Sequence, residues 1–301
     1  MIDENPKHGR WILTGSRRLT MMESVSQSLA GRTAVIHLMP LARSEARRFK
    51  RHPRSLDEAM FTGGYPRIID RRISPSDWLA SYVQTYLERN VHLVSAVGDL
   101  VAFQRFVQLC ASRTSQLLNY SSLALDAGVS QPTAKAWLSI LEATFIAFRL
   151  QPYFGNIGKR LIKAPKLHFY DTGLVCWLLG IRDAAQLALH PLRGPIFETW
   201  VVSEILKHRL NRGENAGLFF YRDRHGVESD LIIDEGRRLT VVEAKAGRTA
   251  TQDLVNAGRQ AAEAIGKAAK LPRIVIYGGD ADQNRSDATI LAWDSIDGHH
   301  W

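Results

Sequence analysis

The residues with the clearest capacity for chemistry stand in two short stretches, Gly226-Val227-Glu228-Ser229-Asp230 and Val241-Val242-Glu243-Ala244-Lys245. An Asp closes one strand-like run, and a Glu-x-Lys closes the next. That spacing brings two carboxylates and one ammonium to the ends of neighbouring strands. Two carboxylates hold a hard cation such as Mg²⁺ through oxygen. A lysine beside them orients an attacking water whose pKa the cation lowers. This is the chemistry of phosphodiester hydrolysis. Asp230 and Glu243 are the expected metal ligands, and Lys245, Glu243 and Asp230 the expected catalytic set. The plain alternative is two acids at strand ends, one of them paired with Lys245.

Such a site needs a sheet to hold it. After Gly217 the runs Leu218–Tyr221, Asp230–Ile233 and Leu239–Glu243 alternate with turn signals at His225-Gly226 and Glu235-Gly236. Helix signals cover Thr172–Gly180, Pro195–Leu210 and Thr251–Lys267, and Arg273–Tyr277 reads as a last strand. Together they describe an α/β core. Arg222 and His225 lie near enough to meet a phosphate, although a solvated turn is their simpler reading.

Upstream, Pro75–Leu150 is helical in pattern. Trp78, Tyr82, Thr85, Tyr86 and Arg89 recur at three- and four-residue steps, as do Leu100, Phe103, Phe106, Val107 and Cys110. Within it Ser121–Glu142 carries a helix-turn-helix pattern. A serine caps the first helix. Ala124 is small where two helices approach, and Gly128 supplies a positive φ for the turn. Ser130 caps the second helix, and Pro132 is tolerated in its first turn. Val129, Ala134, Trp137, Leu138 and Leu141 face the core. Gln131, Thr133, Lys135 and Ala136 face outward, where a recognition helix meets a major groove. Such helix pairs also serve protein contacts.

The composition agrees with an ordinary globular chain of 301 residues, 45% hydrophobic and 23% charged. No apolar run reaches the roughly 20 residues that span a bilayer, and no secretory signal opens the sequence. Two cysteines, Cys110 and Cys176, are too few for a disulfide framework or a zinc site, and read as buried thiols in the cytoplasm. The formal charge of +9 and pI near 9.7 suit a polyanionic partner. Arg43, Arg47, Arg48, Lys50, Arg51 and Arg54 cluster against the single acid Glu45. DNA is the expected partner of Arg47, Arg48, Lys50 and Arg51, and a solvated segment is the alternative.

The chain as a whole resembles a known family. The residues that carry the likeness are Gly63-Gly64-Tyr65-Pro66, Thr85-Tyr86-Leu87-Glu88-Arg89, Gln116-Leu117-Leu118-Asn119, the helix-turn-helix, Lys166-Leu167-His168-Phe169-Tyr170-Asp171-Thr172-Gly173-Leu174 and Phe197-Glu198. They resemble bacterial and archaeal AAA-type ATP-binding proteins with a C-terminal domain of unknown function. The resemblance implies an ATPase core, a winged helix and a domain similar to the PD-(D/E)xK nuclease fold. It places an additional acid on the helix before the sheet, which adds Glu198 to the expected metal ligands, with Glu204 as competitor. It also implies that Leu13-Thr14-Gly15-Ser16 matches the sensor strand and Leu29-Ala30-Gly31-Arg32 the end of the ATPase core. Two departures stand out. The phosphate-binding loop G-x-x-x-x-G-K-S/T is nowhere in the sequence, so no ATP binding is expected. Asn90 stands where the family has Asp.

The expected organisation is multidomain. Residues 1–40 read as a remnant of an AAA-type core carrying Thr14, Ser16 and Arg32, with Trp11–Ser16 and Val35–Leu38 as strands. One helix and two short strands cannot bury their own apolar faces, so Ile12, Leu13, Val35, Ile36 and Leu38 are expected to be exposed or to dock onto another chain. Residues 41–74 read as a linker or lid, 75–165 as a helical domain with a winged helix-turn-helix, and 166–301 as a restriction-endonuclease-like α/β domain. Two functions compete: a Mg²⁺-dependent nuclease acting on DNA, and an inert module that binds DNA or protein.

Overall fold

The computed structural model describes residues 36–71, 73–87, 99–153, 163–236, 238–249, 251, 253, 256, 258–266 and 272–301. Thr14, Ser16, Arg32, Arg89 and Asn90 lie outside the described residues, and so do Ile12, Leu13 and Val35. Ile36 and Leu38 are exposed.

The stretch expected as a linker is largely helical. It holds α1 (Arg43–Ala46), α2 (Leu56–Thr62) and α3 (Pro66–Arg71), followed by α4 (Pro75–Tyr82). Ser55 caps α2 by accepting the Glu58 N–H, and Pro75 opens α4, where its missing N–H leaves no bond unmade. Leu56, Met60 and Ile68 are buried, so this segment contributes to the core. The chain continues through a π-helical turn at Val83–Leu87. Here the buried side chains are Leu79 and Val83. Trp78 and Tyr82, of the stripe read from sequence, are half-buried and stacked 5.1 Å apart, while Thr85 is exposed.

Helix α5 (Leu100–Ser112) buries Phe103, Phe106, Val107 and Cys110 as its periodicity predicts. After β1 (Gln116–Leu117) come α6 (Tyr120–Ala127) and α7 (Gln131–Ala143). Gly128 turns the chain between them at φ 73°, a left-handed conformation that glycine adopts without a Cβ clash. Asn119, and not a serine, caps α6, accepting the Ser122 N–H at 3.1 Å. Ser130 caps α7 through the Thr133 N–H at 3.2 Å. Ala134, Trp137, Leu138 and Leu141 are buried, with Trp137 edge-on to Phe103 and Phe106. Gln131, Lys135 and Ala136 are exposed. Strands β2 (Ala147–Pro152) and β3 (Lys166–Phe169) follow, and β3 pairs antiparallel with both β1 and β2. The expected boundary after residue 165 therefore falls between two paired strands.

The remainder comprises α8 (Thr172–Leu178), α9 (Ala184–Ala188), α10 (Arg193–Asn211), β4 (Leu218–Arg222), β5 (Glu228–Asp234), β6 (Leu239–Lys245), α11 (Arg259–Gly266), β7 (Arg273–Tyr277), β8 (Gln283–Asn284), β9 (Thr289–Ala292) and a 3₁₀ segment at Trp293–Gly298. Strands β8 and β9 lie beyond the last strand expected. The nine strands among the described residues form one mixed sheet in the order β1-β3-β2-β4-β5-β6-β7-β9-β8. The α/β class expected from the sequence is present. Strand β7, flanked by parallel β6 and β9, is buried along its whole length, as a two-sided apolar run requires. Alternation in β5 and β6 divides the layers. Leu231, Ile233 and Val242 join the main core with α10, while Ile232 and Val241 pack with Ala261 and Ala262 of α11. The sheet thus carries helices on both faces.

No described helix is long and apolar enough to cross a membrane. Cys110 and Cys176 are buried free thiols, and burial raises the pKa of both.

Candidate functional site

The β5–β6 pair builds the first half of the site. Leu231 faces Val242 in the antiparallel register, so one step further Asp230 lies opposite Glu243. Residues opposed in this way point to the same face. Asp230 is the third residue of β5, since the strand begins at Glu228, and it does not close a run as the sequence suggested. Lys245 does end β6. The Ala244 N–H donates to Asp230 Oδ2 at 2.9 Å and fixes that carboxylate. Lys245 Nζ stands 3.4 Å from Glu243 Oε2 and remains half-exposed. Glu243 is 5% exposed, and its Oε1 has no hydrogen-bond partner. Burial pushes the Glu243 carboxyl up to about 8, Asp230 adds to the rise, and Lys245 and the Ser229 hydroxyl oppose it.

Gly258, just before α11, has φ +69°. A Cβ there would meet Val241 Cγ1 at 3.0 Å and Glu243 Cγ at 3.1 Å. Glycine at this position lets the start of α11 close over Glu243.

The second half was not foreseen from the sequence. Lys166 of β3 is buried, with its Nζ 2.9 Å from Glu198 Oε1 and 2.7 Å from Glu228 Oε1. Asp230 Oδ1 is 3.8 Å away. Burial alone would lower the Lys166 pKa, but Glu198, Asp230 and Glu228 together hold it above the usual lysine value. Glu198, on α10, is pushed up to about 7, first by burial and then by Asp230, with Lys166 and the Ser115 hydroxyl opposing. Ser115 itself holds a left-handed φ of 63°, rare for a residue with a side chain. Arg222 Nη1 is 3.4 Å from Glu228 Oε2, and His225 is exposed in the adjoining turn. Four carboxylates (Glu198, Glu228, Asp230 and Glu243) thus crowd around Lys166, Lys245 and the edge-lying Arg222. Two signals in the sequence pointed here. Lys166 opens the strand-like run Leu167-His168-Phe169, and Glu228 precedes Asp230 by two residues and so shares its face.

Glu204, the competitor of Glu198, belongs to a different cluster. Its Oε2 accepts the Arg43 N–H at 2.6 Å and its Oε1 the Lys207 ammonium at 2.9 Å. His208 Nε2 and Asp297 Oδ1 are 3.2 Å apart nearby. Among the described residues, Glu204, His208 and Asp297 are the one group of three possible metal-ligand atoms lying within 4.8 Å of one another. Arg47 and Lys207 bring positive charge to that group, which opposes a cation there. Asp230, Glu243 and Glu198 are spread more widely, with the Lys166 ammonium among them.

Of the expected DNA contacts, Arg48, Lys50 and Arg51 are exposed. Arg47 is exposed but paired with Asp294. Arg43 is buried 5.0 Å over the Trp293 ring and paired with Asp294 at 2.8 Å. On α7, Lys135 lies 5.5 Å over the Tyr120 ring, Gln131 donates to Ser121 Oγ at 3.3 Å, and Thr133 packs on Ser130.

Residues 193–296 match the model of a domain of unknown function, DUF4143, and residues 53–185 match another, DUF8612. The first is the C-terminal domain of this chain and holds Glu198, Glu228, Asp230, Glu243 and Lys245. Lys166 lies in the second. Two relatives, each named only as an uncharacterized protein, come from Mycobacterium bovis and Mycobacterium tuberculosis. Each is 27% identical over 293 residues, which cover 96% of this chain and 63% of the relative. The chain therefore spans less than two thirds of the length of these relatives. No solved structure gives a significant match.

Proposed function

We propose that the chain is the C-terminal portion of an AAA-type protein whose nuclease-like domain cleaves phosphodiester bonds in DNA with a divalent cation. The observation that carries this reading is Glu243 Oε1, a buried carboxylate oxygen without a donor, directly across the strands from Asp230. A buried acceptor left unpaired is costly unless something else occupies it. The residues fit Mg²⁺, which is commonly held by one or two carboxylates together with water. Bound there, the cation would polarise a phosphodiester oxygen and acidify a water.

The chain's own residues have separate tasks. The Ala244 N–H holds Asp230 Oδ2, leaving Oδ1 as the coordinating atom. Lys245, half-exposed beside Glu243, orients the attacking water and offers its ammonium to the phosphate charge. Glu198 assists from α10 through its contact with Lys166. The order α5-β1-α6-α7-β2-β3, with β3 between β1 and β2, supports the reading of a winged helix-turn-helix. In this reading Gln131, Thr133 and Lys135 meet a groove of the DNA, and Arg47, Arg48, Lys50 and Arg51 meet phosphates. The β4–β7 sheet with α10 across it resembles the PD-(D/E)xK arrangement. A cytoplasmic setting suits the two buried free thiols. ATP binding is not part of the proposal, because the sequence carries no phosphate-binding loop.

Purified protein with Mg²⁺ or Mn²⁺ should nick supercoiled or branched DNA, and Lys245→Ala should slow this by about 10²- to 10⁴-fold. Equal background cleavage by both proteins would show the assignment to be wrong.

A second reading, a binding module without catalysis, is favoured by one observation: Lys135 is the only cation within α7, which is few for neutralising phosphates. It predicts DNA affinity that falls steeply with salt and is unchanged by Asp230→Asn. No DNA binding at low salt would leave a protein partner, for which the apolar residues of the first forty are the expected surface.

A further inference from the structure

We infer that Lys166 is a built-in counter-cation: its ammonium fills the position at which Glu198, Glu228 and Asp230 would otherwise gather a second divalent ion, so that the proposed site takes one metal ion and not two. The inference extends the metal reading above but is tested separately from it.

The geometry supports it in three ways. First, the ammonium is shared. Three carboxylates from two elements, α10 and β5, point to one nitrogen at 2.9, 2.7 and 3.8 Å. On the same helix, the buried Lys207 meets the single acid Glu204. Second, the position is dry. The Lys166 side chain is 3% exposed, and its nitrogen lies 5.6 Å over the Phe220 ring. Without the ammonium, the largely buried Glu198 and Asp230 would face each other and the half-buried Glu228, which keeps Arg222 beside it, an arrangement that binds a hard cation or a proton. Third, the charge arrives from elsewhere in the fold. Lys166 is on β3, within the region matching DUF8612, while the three acids lie in the region matching DUF4143. The two regions are thus joined by a cation in the middle of the acids, and the excess of acids over cations in the nuclease-like portion is smaller when β3 is in place.

A metal ion needs much shorter contacts than an ammonium, about 2.0–2.1 Å for Mg²⁺. Small shifts of flexible Glu198 and Glu228 side chains supply them once the lysine head is removed. Lys166→Met keeps the stem and removes the head. Lys166→Arg keeps the charge.

The test is to count Mn²⁺ per chain, by calorimetry and by electron paramagnetic resonance, in the whole protein. Lys166→Met should bind one Mn²⁺ more than wild type, and Lys166→Arg should bind no more. Adding Glu228→Gln to Lys166→Met should weaken the extra site at least tenfold. The wild-type count is a separate readout of Asp230 and Glu243: zero in wild type with one in Lys166→Met sinks the metal reading there and leaves Lys166 as inferred. A folded Lys166→Met with no extra Mn²⁺ overturns the inference. So do two Mn²⁺ in wild type that are lost together on Asp230→Asn. If Lys166→Met folds only when Mn²⁺ is present, the inference stands. If it stays unfolded in Mn²⁺ while Lys166→Met/Glu198→Gln folds, Lys166 is only a structural partner of Glu198 and the inference falls.

Discussion

Helix α10 presents two glutamates, Glu198 and Glu204, to opposite situations. Glu204 is met oxygen by oxygen, with a backbone N–H at 2.6 Å and an ammonium at 2.9 Å. Glu198 must share a single ammonium with two other acids, and its carboxyl is pushed up to about 7. Both lie within one helix on one sheet, so the helix does not set the difference. The neighbours do. A buried carboxylate matched by its own donors belongs to the scaffold. One left in excess over the available cations is poised to take up a proton or a metal ion.

The contrast breaks or holds on stability first. Glu204→Ala should cost about 3–5 kcal/mol, because it strands the Lys207 ammonium in the interior. Urea unfolding measures this, and a loss below about 1 kcal/mol would place Glu204 among dispensable ion pairs. Next is Gly258→Ala. The residue's positive φ alone is worth about 1–2 kcal/mol against any residue with a Cβ. The crowding of Glu243 Cγ at 3.1 Å adds to it. The same variant should weaken Mn²⁺ binding, whereas Glu204→Ala in its folded fraction should not.

A smaller effect has the opposite sign. Glu243→Gln keeps the shape and removes a charge that burial disfavours, so at pH 8.5, above the raised pKa of the carboxyl, the metal-free protein should gain stability. Destabilisation by that change would mean the carboxylate is already satisfied. The same charge sets the pH dependence of the metal-free melting temperature. Glu198 and Glu243 hold protons in the folded chain up to about 7 and about 8, whereas unfolded they release them near 4.5. The folded state therefore binds more protons in that window, and stability falls as pH rises through it. Buried His168, lowered well below 6.5, acts in the reverse sense as pH drops under 6.5. The clean window is pH 6.5 to 8.5. There the melting temperature should decline without metal and flatten or rise with Mn²⁺.

Much of this was legible in the sequence because it depends on local rules. The α5 stripe and the Gly128 turn follow from periodicity and from the φ a turn demands. So do the buried face of α7 and the β5–β6 hairpin that opposes Asp230 to Glu243. What escaped depends on distant pairing. Lys166 meets Glu228 only because β2 and β4 join two sets of strands side by side, and no local pattern announces a parallel pair 68 positions apart, Gln151 against Phe219 and Pro152 against Phe220. Glu198 and Glu204 look alike in the sequence, since the Arg43 N–H that satisfies Glu204 comes from far upstream. The basic stretch looked uniform, yet Arg43 is buried against Trp293 while Arg48, Lys50 and Arg51 face outward.

The junction of β2 with β4 has a consequence for how the molecule comes apart. Its register holds Gln151 against Phe219 and Pro152 against Phe220, and Pro152 has no N–H to give. The Tyr153 N–H, at the last described residue of this segment, donates to the Phe220 carbonyl at 2.7 Å. Among the described residues, two sets of strands, three on one side and six on the other, therefore meet along a line with few hydrogen bonds. In hydrogen exchange, the Tyr153 amide should open before the amides of β7, reporting a sub-global separation of the two sets. The fold would then loosen first along this line, with each set of strands still intact.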